Sequence, residues 1–219
     1  MKIYHGSKVI IEYPVVKGSN ETNDYGPSFY LTKDLEAAKS WACKNNSVGV
    51  VNEYEINSSS FAKLKILDLT NKNKYSVLNW MAILMHFREL DSSFIRNNQL
   101  TLEWLQKYYI DVDDYDVIIG FRADDSYFRF PLRFVSNDLS FEDLEDVFLS
   151  GHLGIQYAFM SERSIKLLSF KKIIECSDEY LGHYYSIVTK ASKQFDELLN
   201  RPRDPRKKYI LDLMREDNE

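Results

Sequence analysis

The chain has 219 residues, of which 44% are hydrophobic and 28% are charged, and its formal net charge is −5. This length is sufficient to bury a hydrophobic core, and the composition is that of an ordinary globular protein. The acidic balance argues against loose, charge-driven attachment to nucleic acid, and the longest apolar stretch, around residues 80–85, is too short to span a membrane.

The sequence predicts neither a targeting segment nor a metal site. Residues at the start run directly into a strand-like segment, so no signal peptide is expected. Cys43 and Cys176 lie in unrelated contexts without metal-ligand spacing, which favours a reducing cytoplasm and a packing role for both thiols. His152 and His183 lack Cys or carboxylate neighbours at metal spacing. The basic cluster at residues 201–208 is predicted to be a solvated face, with docking of an acidic partner or RNA as the alternative.

The N-terminal half is predicted to alternate short strands with helices. Strands are expected at residues 2–4, 29–31, 48–56 and 64–69, and helices at 77–90 and 100–108. The first strand would deliver His5 to a turn at Gly6 and Ser7. A further helix is predicted after Asp34, its N-cap, with Trp41 on the apolar face. Residues 17–24 are predicted to form a polar loop.

The C-terminal half predicts strands at 115–120, 155–160 and 165–170, a strand pair around Pro131 within residues 126–135, and a short helix at 141–149 capped by Ser140. From residue 178 onward the pattern changes to two helices, at 180–199 and 205–214. These elements predict an α+β protein with two parts. Residues 1–174 would form a β-sheet core with flanking helices, and residues 175–219 a C-terminal helical extension.

Three segments carry the chemistry that this chain suggests. They are Tyr-His-Gly-Ser at residues 4–7, Gly-Pro-Ser-Phe-Tyr at 26–30 and Gln-Tyr-Ala-Phe-Met at 156–160. In this order they resemble the catalytic strands of ADP-ribosyltransferases of the His-Tyr-Glu type, to which poly(ADP-ribose) polymerases and diphtheria toxin belong, with Gln156 in place of the glutamate. Over residues 2–170 the chain also resembles a bacterial family of uncharacterised ADP-ribosyltransferase-like proteins, which are commonly encoded beside small partner proteins.

The resemblance implies that the sheet core of residues 1–174 is a split mixed or antiparallel β-sheet, and that it forms a binding site for NAD as co-substrate. His5 would hydrogen-bond a hydroxyl of the adenosine ribose, while the Gly6 backbone and the Ser7 hydroxyl would hold the nicotinamide carboxamide. Glycine suits that position because it lets a ligand approach the main chain. Tyr30 and Trp41 would stack on the nicotinamide ring, contributing on the order of 1–2 kcal/mol each.

Gln156 is where the chain departs from the family pattern. The family glutamate accepts a hydrogen bond from the nicotinamide ribose and stabilises the oxocarbenium-like transition state, whereas an amide keeps the hydrogen bond but supplies no charge. A unit charge ~4–5 Å from the cation is worth roughly 3–4 kcal/mol, or about two to three decades in rate. We therefore expect slow NAD cleavage and single rather than polymeric transfer, and we expect Gln156→Glu to increase hydrolysis.

A carboxylate elsewhere in the chain could supply this charge. Glu162 lies an even number of residues after Gln156 and would share its strand face if the strand continued, the alternative being a capping turn before Ile165. Asp124 and Asp125 follow the strand at 115–120 and would either line the cleft or form a plain turn.

The expected function is NAD-dependent mono-ADP-ribosylation of a protein or nucleic acid in the cytoplasm, by the toxin of a bacterial toxin–antitoxin or phage-defence module with a small antitoxin partner. The alternative is a module of the same fold that binds NAD or ADP-ribose without turning it over. An RNA 2′-phosphotransferase is disfavoured, because the arginines of that family's site are missing near His5. Neither a metal nor a membrane partner is expected.

Overall fold

The computed structural model describes residues 1–16, 20–44, 47–123, 125–149 and 154–217, apart from the side chains of residues 125, 126 and 149. Asp124 and His152 therefore lie outside the described residues, as do part of the predicted loop at 17–24 and the Asp125 side chain. Whether Asp124 and Asp125 line a cleft stays a prediction.

The described chain alternates strands and helices along most of its length. The strands are β1 (Lys2–Ser7), β2 (Phe29–Leu31), β3 (Val50–Glu55), β4 (Ile66–Asp68), β5 (Val117–Phe121), β6 (Ile155–Phe159) and β7 (Ser169–Glu175). The helices are α1 (Leu35–Ala42), α2 (Ser58–Phe61), α3 (Val77–Phe87), α4 (Ser92–Asn97), α5 (Gln99–Leu105), α6 (Asp125–Val135), α7 (Phe141–Leu149), α8 (Glu162–Ile165), α9 (His183–Leu199) and α10 (Ile210–Glu216). Within the described ranges, none of these helices is long and apolar enough to cross a membrane.

The described strands form two sheets that meet between β1 and β2. One sheet is antiparallel with the order β1-β3-β7, and the other is mixed with the order β2-β6-β5-β4, in which β4 and β5 run parallel. The Tyr4 N–H donates to the Thr32 carbonyl at 2.8 Å, and the Thr32 N–H donates to the Tyr4 carbonyl at 2.9 Å. This single bridge joins the two sheets, and the predicted α+β class is confirmed.

Helix α1 begins where the sequence predicts, because Asp34 caps it. The Asp34 carboxylate accepts hydrogen bonds from the N–H groups of Glu36 and Ala37 at 2.9 and 3.1 Å. These bonds satisfy two of the N–H groups that the first turn of a helix leaves without intrahelical partners. The buried side chains of Ala38 and Ala42 then pack on Val51 of β3.

Glycine at position 6 is required by the contact between α1 and β1. A Cβ atom at Gly6 would lie 2.1 Å from the carbonyl oxygen of Ala38 and 2.8 Å from the nitrogen of Ala42. Both atoms belong to the helix backbone, so neither can move aside without displacing α1. The sequence suggested that Gly6 allows a ligand to approach, and the structure adds that it allows the helix to approach.

The strand pair predicted around Pro131 is wrong, because residues 125–135 form helix α6. Tyr127, Phe130 and Phe134 recur at intervals of three and four residues and are almost fully buried. That spacing places all three on one helical face, and their burial outweighs the helix hydrogen bond that the proline cannot donate.

Three predicted boundaries also shift. Strand β1 continues through Ser7, so the turn expected at Gly6 is instead paired strand. The Ser161 hydroxyl accepts from the Ser164 N–H and starts α8, which makes Ile165 helical and delays the closing strand β7 to Ser169. The last helix begins only at Ile210.

The C-terminal helices share the main hydrophobic core of the protein. Ala191, Phe195 and Ile210 are almost fully buried, and the Phe195 ring meets the edge of Phe130 at 5.1 Å between centroids. Strand β7 ends at Glu175, so the predicted boundary at 174 falls one residue before its end. After β7 the described chain carries helices α9 and α10, and through Phe195 and Ile210 they pack directly on the rest of the protein.

The basic cluster at 201–208 is largely paired with acidic side chains. The ion pairs are Arg203–Asp212 at 3.7 Å, Arg206–Asp204 at 2.8 Å, Lys207–Asp143 at 2.6 Å and Lys208–Glu216 at 2.7 Å. The surface of this segment therefore alternates positive and negative charge, which fits the predicted solvated face better than a docking site for a polyanion.

The two cysteines, distant in sequence, are neighbours in the fold. Cys43 follows α1 and is fully buried, and Cys176 follows β7. Burial raises the pKa of the Cys176 thiol to about 11, and the nearby Cys43 contributes to this rise. A thiol with this pKa stays protonated at neutral pH, in keeping with the packing role predicted for it.

Replacement of Gly6 tests the contact between β1 and α1. We expect Gly6→Ala to lower the free energy of unfolding by about 1–3 kcal/mol, because the added methyl group overlaps the backbone of α1. Urea denaturation measures this change. The matched control is Gly182→Ala, since no described atom lies within 4 Å of a Cβ placed there. Equal effects of the two variants would contradict the packing argument.

Replacement of Phe195 tests whether the C-terminal helices belong to the same folding unit. Phe195→Ala should cost about 3–5 kcal/mol, because it leaves a cavity beside Phe130. Leu211→Ala, at a side chain that is 39% exposed, should change stability by only about 0.5 kcal/mol. Thermal unfolding should remain a single transition, and a separate early transition in the Phe195 variant would show that the segment folds independently.

Candidate functional site

A cleft of about 850 Å³ opens beside the junction of the two sheets. Its walls bring together His5 and Gly6 from β1, Tyr30 from β2, Trp41 from α1 and Gln156 from β6. These residues are distant in the sequence, and the pairing of β2 with β6 and the bridge between β1 and β2 make them neighbours. Five of the predicted site residues thus line one cleft.

Two predicted site residues lie outside the cleft lining. Ser7 is the last residue of β1, and its hydroxyl accepts a hydrogen bond from the Val9 N–H at 3.2 Å. Glu162 is exposed and is the first residue of α8, beyond the far end of β6 from Gln156. Of the two alternatives for Glu162, the structure has the capping turn before Ile165, because β6 ends at Phe159 and does not continue to position 162.

His5 is a half-buried imidazole whose ring is held in one orientation by two contacts. Its Nδ1 lies 2.7 Å from the Tyr30 carbonyl oxygen, and its ring stacks on Phe29 at 4.5 Å between centroids. Burial lowers the pKa of His5, and the hydrogen bond to Tyr30 only partly offsets this effect. The ring is therefore neutral at physiological pH. Because a carbonyl only accepts, Nδ1 carries the proton, and Nε2 is an acceptor suited to a ligand hydroxyl.

The Tyr30 hydroxyl is tied to the backbone of the preceding turn. It donates to the Gly26 carbonyl at 2.7 Å and accepts from the Tyr25 N–H at 3.0 Å. Burial also raises the pKa of Tyr30 well above its ordinary value. The phenol is thus unsuited to proton transfer near neutral pH, and the part of Tyr30 that remains for a ligand is its ring.

Trp41 is already in contact with two cations. The Arg122 guanidinium lies 3.8 Å from the centroid of the indole ring, and the Lys44 ammonium lies 4.6 Å from it. Both are cation–π contacts. These contacts place two positive charges on the indole ring with which a cationic nicotinamide would stack, so this end of the cleft favours a negatively charged ligand group.

The Gln156 amide has a defined orientation. Its Nε2 donates to Asp24 Oδ2 at 2.8 Å and lies 3.3 Å from the Phe121 carbonyl oxygen. Both partners are acceptors, so they fix the nitrogen side of the amide. The carbonyl oxygen Oε1 is then the end of Gln156 that a ligand in the cleft can use.

Asp24 is the site residue that the sequence did not reveal. It is 7% exposed, lines the cleft, and accepts a hydrogen bond from the Ala123 N–H at 2.9 Å in addition to that from Gln156. Arg88 Nη1 lies 3.6 Å from its other oxygen. Burial raises the pKa of Asp24, while the Ala123 hydrogen bond, Arg88 and Gln156 oppose the rise. In the sequence Asp24 is the last residue of a predicted polar loop. The one feature that could have marked it as a site residue is its position directly before Tyr25 and Gly26, next to the second motif.

Two arginines of the cleft were also missed. Arg88 follows α3 and Arg122 follows β5, and both line the cleft. In the sequence, arginines were expected only near His5, as part of the site of an RNA 2′-phosphotransferase. Both residues come from distant parts of the chain, so only the fold places them beside it.

The cleft combines a neutral imidazole acceptor, an aromatic ring, an oriented amide, a buried carboxylate and several cations. Among the described residues, no group of three His, Cys, Asp or Glu side chains has the arrangement of a metal site. Such a set of groups suits a ligand that carries hydroxyls, a planar ring and negatively charged groups.

Comparison with known proteins identifies the family of the chain. No curated protein and no solved structure matches it. Residues 1–170 match the family described as "Protein of unknown function (DUF3990)". The match includes strands β1–β6 and every cleft residue named above, and it ends before helices α9 and α10. Because the match covers 170 of 219 residues, this chain belongs to the DUF3990 family.

Proposed function

We propose that this protein is an ADP-ribosyltransferase-like enzyme that cleaves NAD in the cleft and transfers single ADP-ribose groups to a macromolecule. The observation that carries the proposal is the convergence of His5, Tyr30 and Gln156 on one cleft. These are the three positions at which the sequence resembles the His-Tyr-Glu transferases. A chance resemblance in three short segments would not require them to share a cleft.

The groups of the cleft suit the parts of a pyridine dinucleotide. The Nε2 atom of His5 would accept a hydrogen bond from a ribose hydroxyl, and the Tyr30 ring would stack on nicotinamide. Arg122 and Lys44, at the Trp41 end, supply positive charge for the two phosphates. In this arrangement Trp41 holds the cations of a phosphate subsite, which differs from the stacking role that the resemblance implied.

The proposed reaction breaks the bond between the ribose C1′ and the nicotinamide nitrogen. The bonding electron pair leaves with neutral nicotinamide, and the ribose becomes an oxocarbenium-like cation. A nucleophilic oxygen or nitrogen of the acceptor then attacks C1′ and releases a proton, with water as the acceptor in simple hydrolysis. Gln156 Oε1 would accept a hydrogen bond from the ribose 2′-hydroxyl and hold the sugar during this step.

Labelled NAD tests the proposal directly. We expect calorimetry to show NAD binding, and we expect release of nicotinamide together with transfer of label from adenine-labelled NAD to a macromolecule in a lysate. Gln156→Ala should lower the rate about 10- to 100-fold, because it removes the ribose acceptor.

The matched control is Glu162→Gln, which should retain the wild-type rate because Glu162 is exposed and lies outside the cleft. Failure of the wild-type protein to bind NAD would refute the proposal. Binding with intact NAD recovered and no labelled product would instead favour the alternative, a module that binds NAD or ADP-ribose without turnover.

The proposal extends to a bacterial toxin, acting in the cytoplasm in a toxin–antitoxin or phage-defence module and neutralised by a small antitoxin protein. Its support is the resemblance to bacterial proteins encoded beside small partners. Expression in a bacterial host should therefore arrest growth, and Gln156→Ala should relieve the arrest, as measured by growth curves at matched protein levels. Equal arrest by both proteins would show that the toxicity does not depend on the chemistry of the cleft.

A further inference from the structure

A buried carboxylate next to Gln156 needs an explanation beyond structural support. Asp24 is 7% exposed, and burial of an ionised carboxylate is unfavourable unless its charge is compensated. The Ala123 N–H and the Gln156 amide both donate to Oδ2, and a neutral asparagine carbonyl could accept both bonds equally well. These two bonds therefore do not require a carboxylate, and the charge of Asp24 bears instead on Arg88 at its other oxygen and on the cleft.

The charged groups around Asp24 are compatible with an ionised carboxylate. Arg88 lies 3.6 Å from Oδ1, and Arg122 contributes a weaker favourable interaction. Tyr25 and Tyr30 are the other titratable groups nearby, and burial raises the pKa of both phenols, so they stay neutral. Of these side chains, Asp24 is the one that can carry negative charge. It lines the cleft beside Gln156, to which it is hydrogen-bonded.

We infer that Asp24 and Gln156 act as a unit, in which the Asp24 carboxylate supplies the negative charge that Gln156 lacks. This inference rests on the proposed NAD cleavage. Asp24 would polarise the amide through the 2.8 Å hydrogen bond, which makes Oε1 a stronger acceptor for the ribose and stabilises the developing cation. Asp24 is therefore a positioning residue that acts on the substrate through Gln156.

The inference revises the expected effect of Gln156→Glu. A glutamate at position 156 would place a second carboxylate within hydrogen-bonding distance of Asp24. Like charges at this distance disfavour ionisation of both groups, so the second carboxylate would add less than a full negative charge to the pair. Any gain in rate should then fall well short of the two to three decades that a newly added charge would give.

The decisive experiment exchanges the amide and the carboxylate. Asp24→Asn should lower kcat for NAD hydrolysis about 10- to 100-fold while KM changes little, because the charge is lost but the shape is retained. The double variant Asp24→Asn with Gln156→Glu restores one charge to the pair and should recover at least the wild-type kcat. A merely structural role for Asp24 predicts no such recovery.

Stability and pH provide two readouts that separate charge from folding. Asp24→Asn removes a charge that burial disfavours, but it also removes the ion pair with Arg88, so these effects oppose each other and the unfolding temperature should change little. As the pH falls through this raised pKa, Asp24 is protonated and kcat should decline. Asp24→Asn should lack this acidic limb.

A wild-type kcat in Asp24→Asn, or a double variant as slow as Asp24→Asn, would overturn the inference while leaving the proposed function intact. If Asp24→Asn unfolds at a lower temperature, the comparison of the double variant with Asp24→Asn still decides the matter, because both carry the same substitution at position 24. Absence of NAD cleavage by the wild-type protein would instead refute the proposed function itself.

Discussion

The cleft depends on the junction of the two sheets, where a pair of backbone hydrogen bonds joins Tyr4 to Thr32 and one apolar cluster, which includes Ile3 and Phe29, packs across both sheets. On one side of this bridge β1 carries His5, and on the other side β2 carries Tyr30. The hydrogen bond from His5 to the Tyr30 carbonyl crosses the same junction. A change in the angle between the sheets would therefore alter both side chains together, which makes this junction the structural basis of the site.

Much of the fold could be predicted because local chemistry and tertiary packing agree. Asp34 is a preferred N-cap residue and does cap α1, and the strand predicted at 48–56 is observed as β3, which pairs with β1 on one side and β7 on the other. The segment containing Pro131 could not be predicted in this way. A proline and a run of aromatic residues favour a strand pair locally, whereas burial of Tyr127 and Phe134 on one face favours a helix.

Some residues of the candidate site could likewise be predicted from the sequence, and others could not. Its motif residues were predictable because each sits on a strand whose neighbours form a readable pattern. Asp24, Arg88 and Arg122 lie at the ends of elements or in a loop, where the sequence sets no periodic position. They join the cleft through contacts between segments far apart in the chain, such as the hydrogen bond between Asp24 and Ala123. Such long-range contacts cannot be inferred from one sequence.

Helix α9 covers the outer face of α1, the helix that carries Trp41. Tyr184 meets the edge of the Trp41 ring at 6.1 Å between centroids, His183 hydrogen-bonds Ser40, and Tyr180, just before α9, hydrogen-bonds Glu36. The match to the family covers residues 1–170 and therefore ends before these contacts between α9 and α1. A protein shortened to residues 1–170 would lose these contacts and expose the face of α1 that α9 covers. The segment that matches the family is therefore shorter than the segment that supports the helix carrying Trp41.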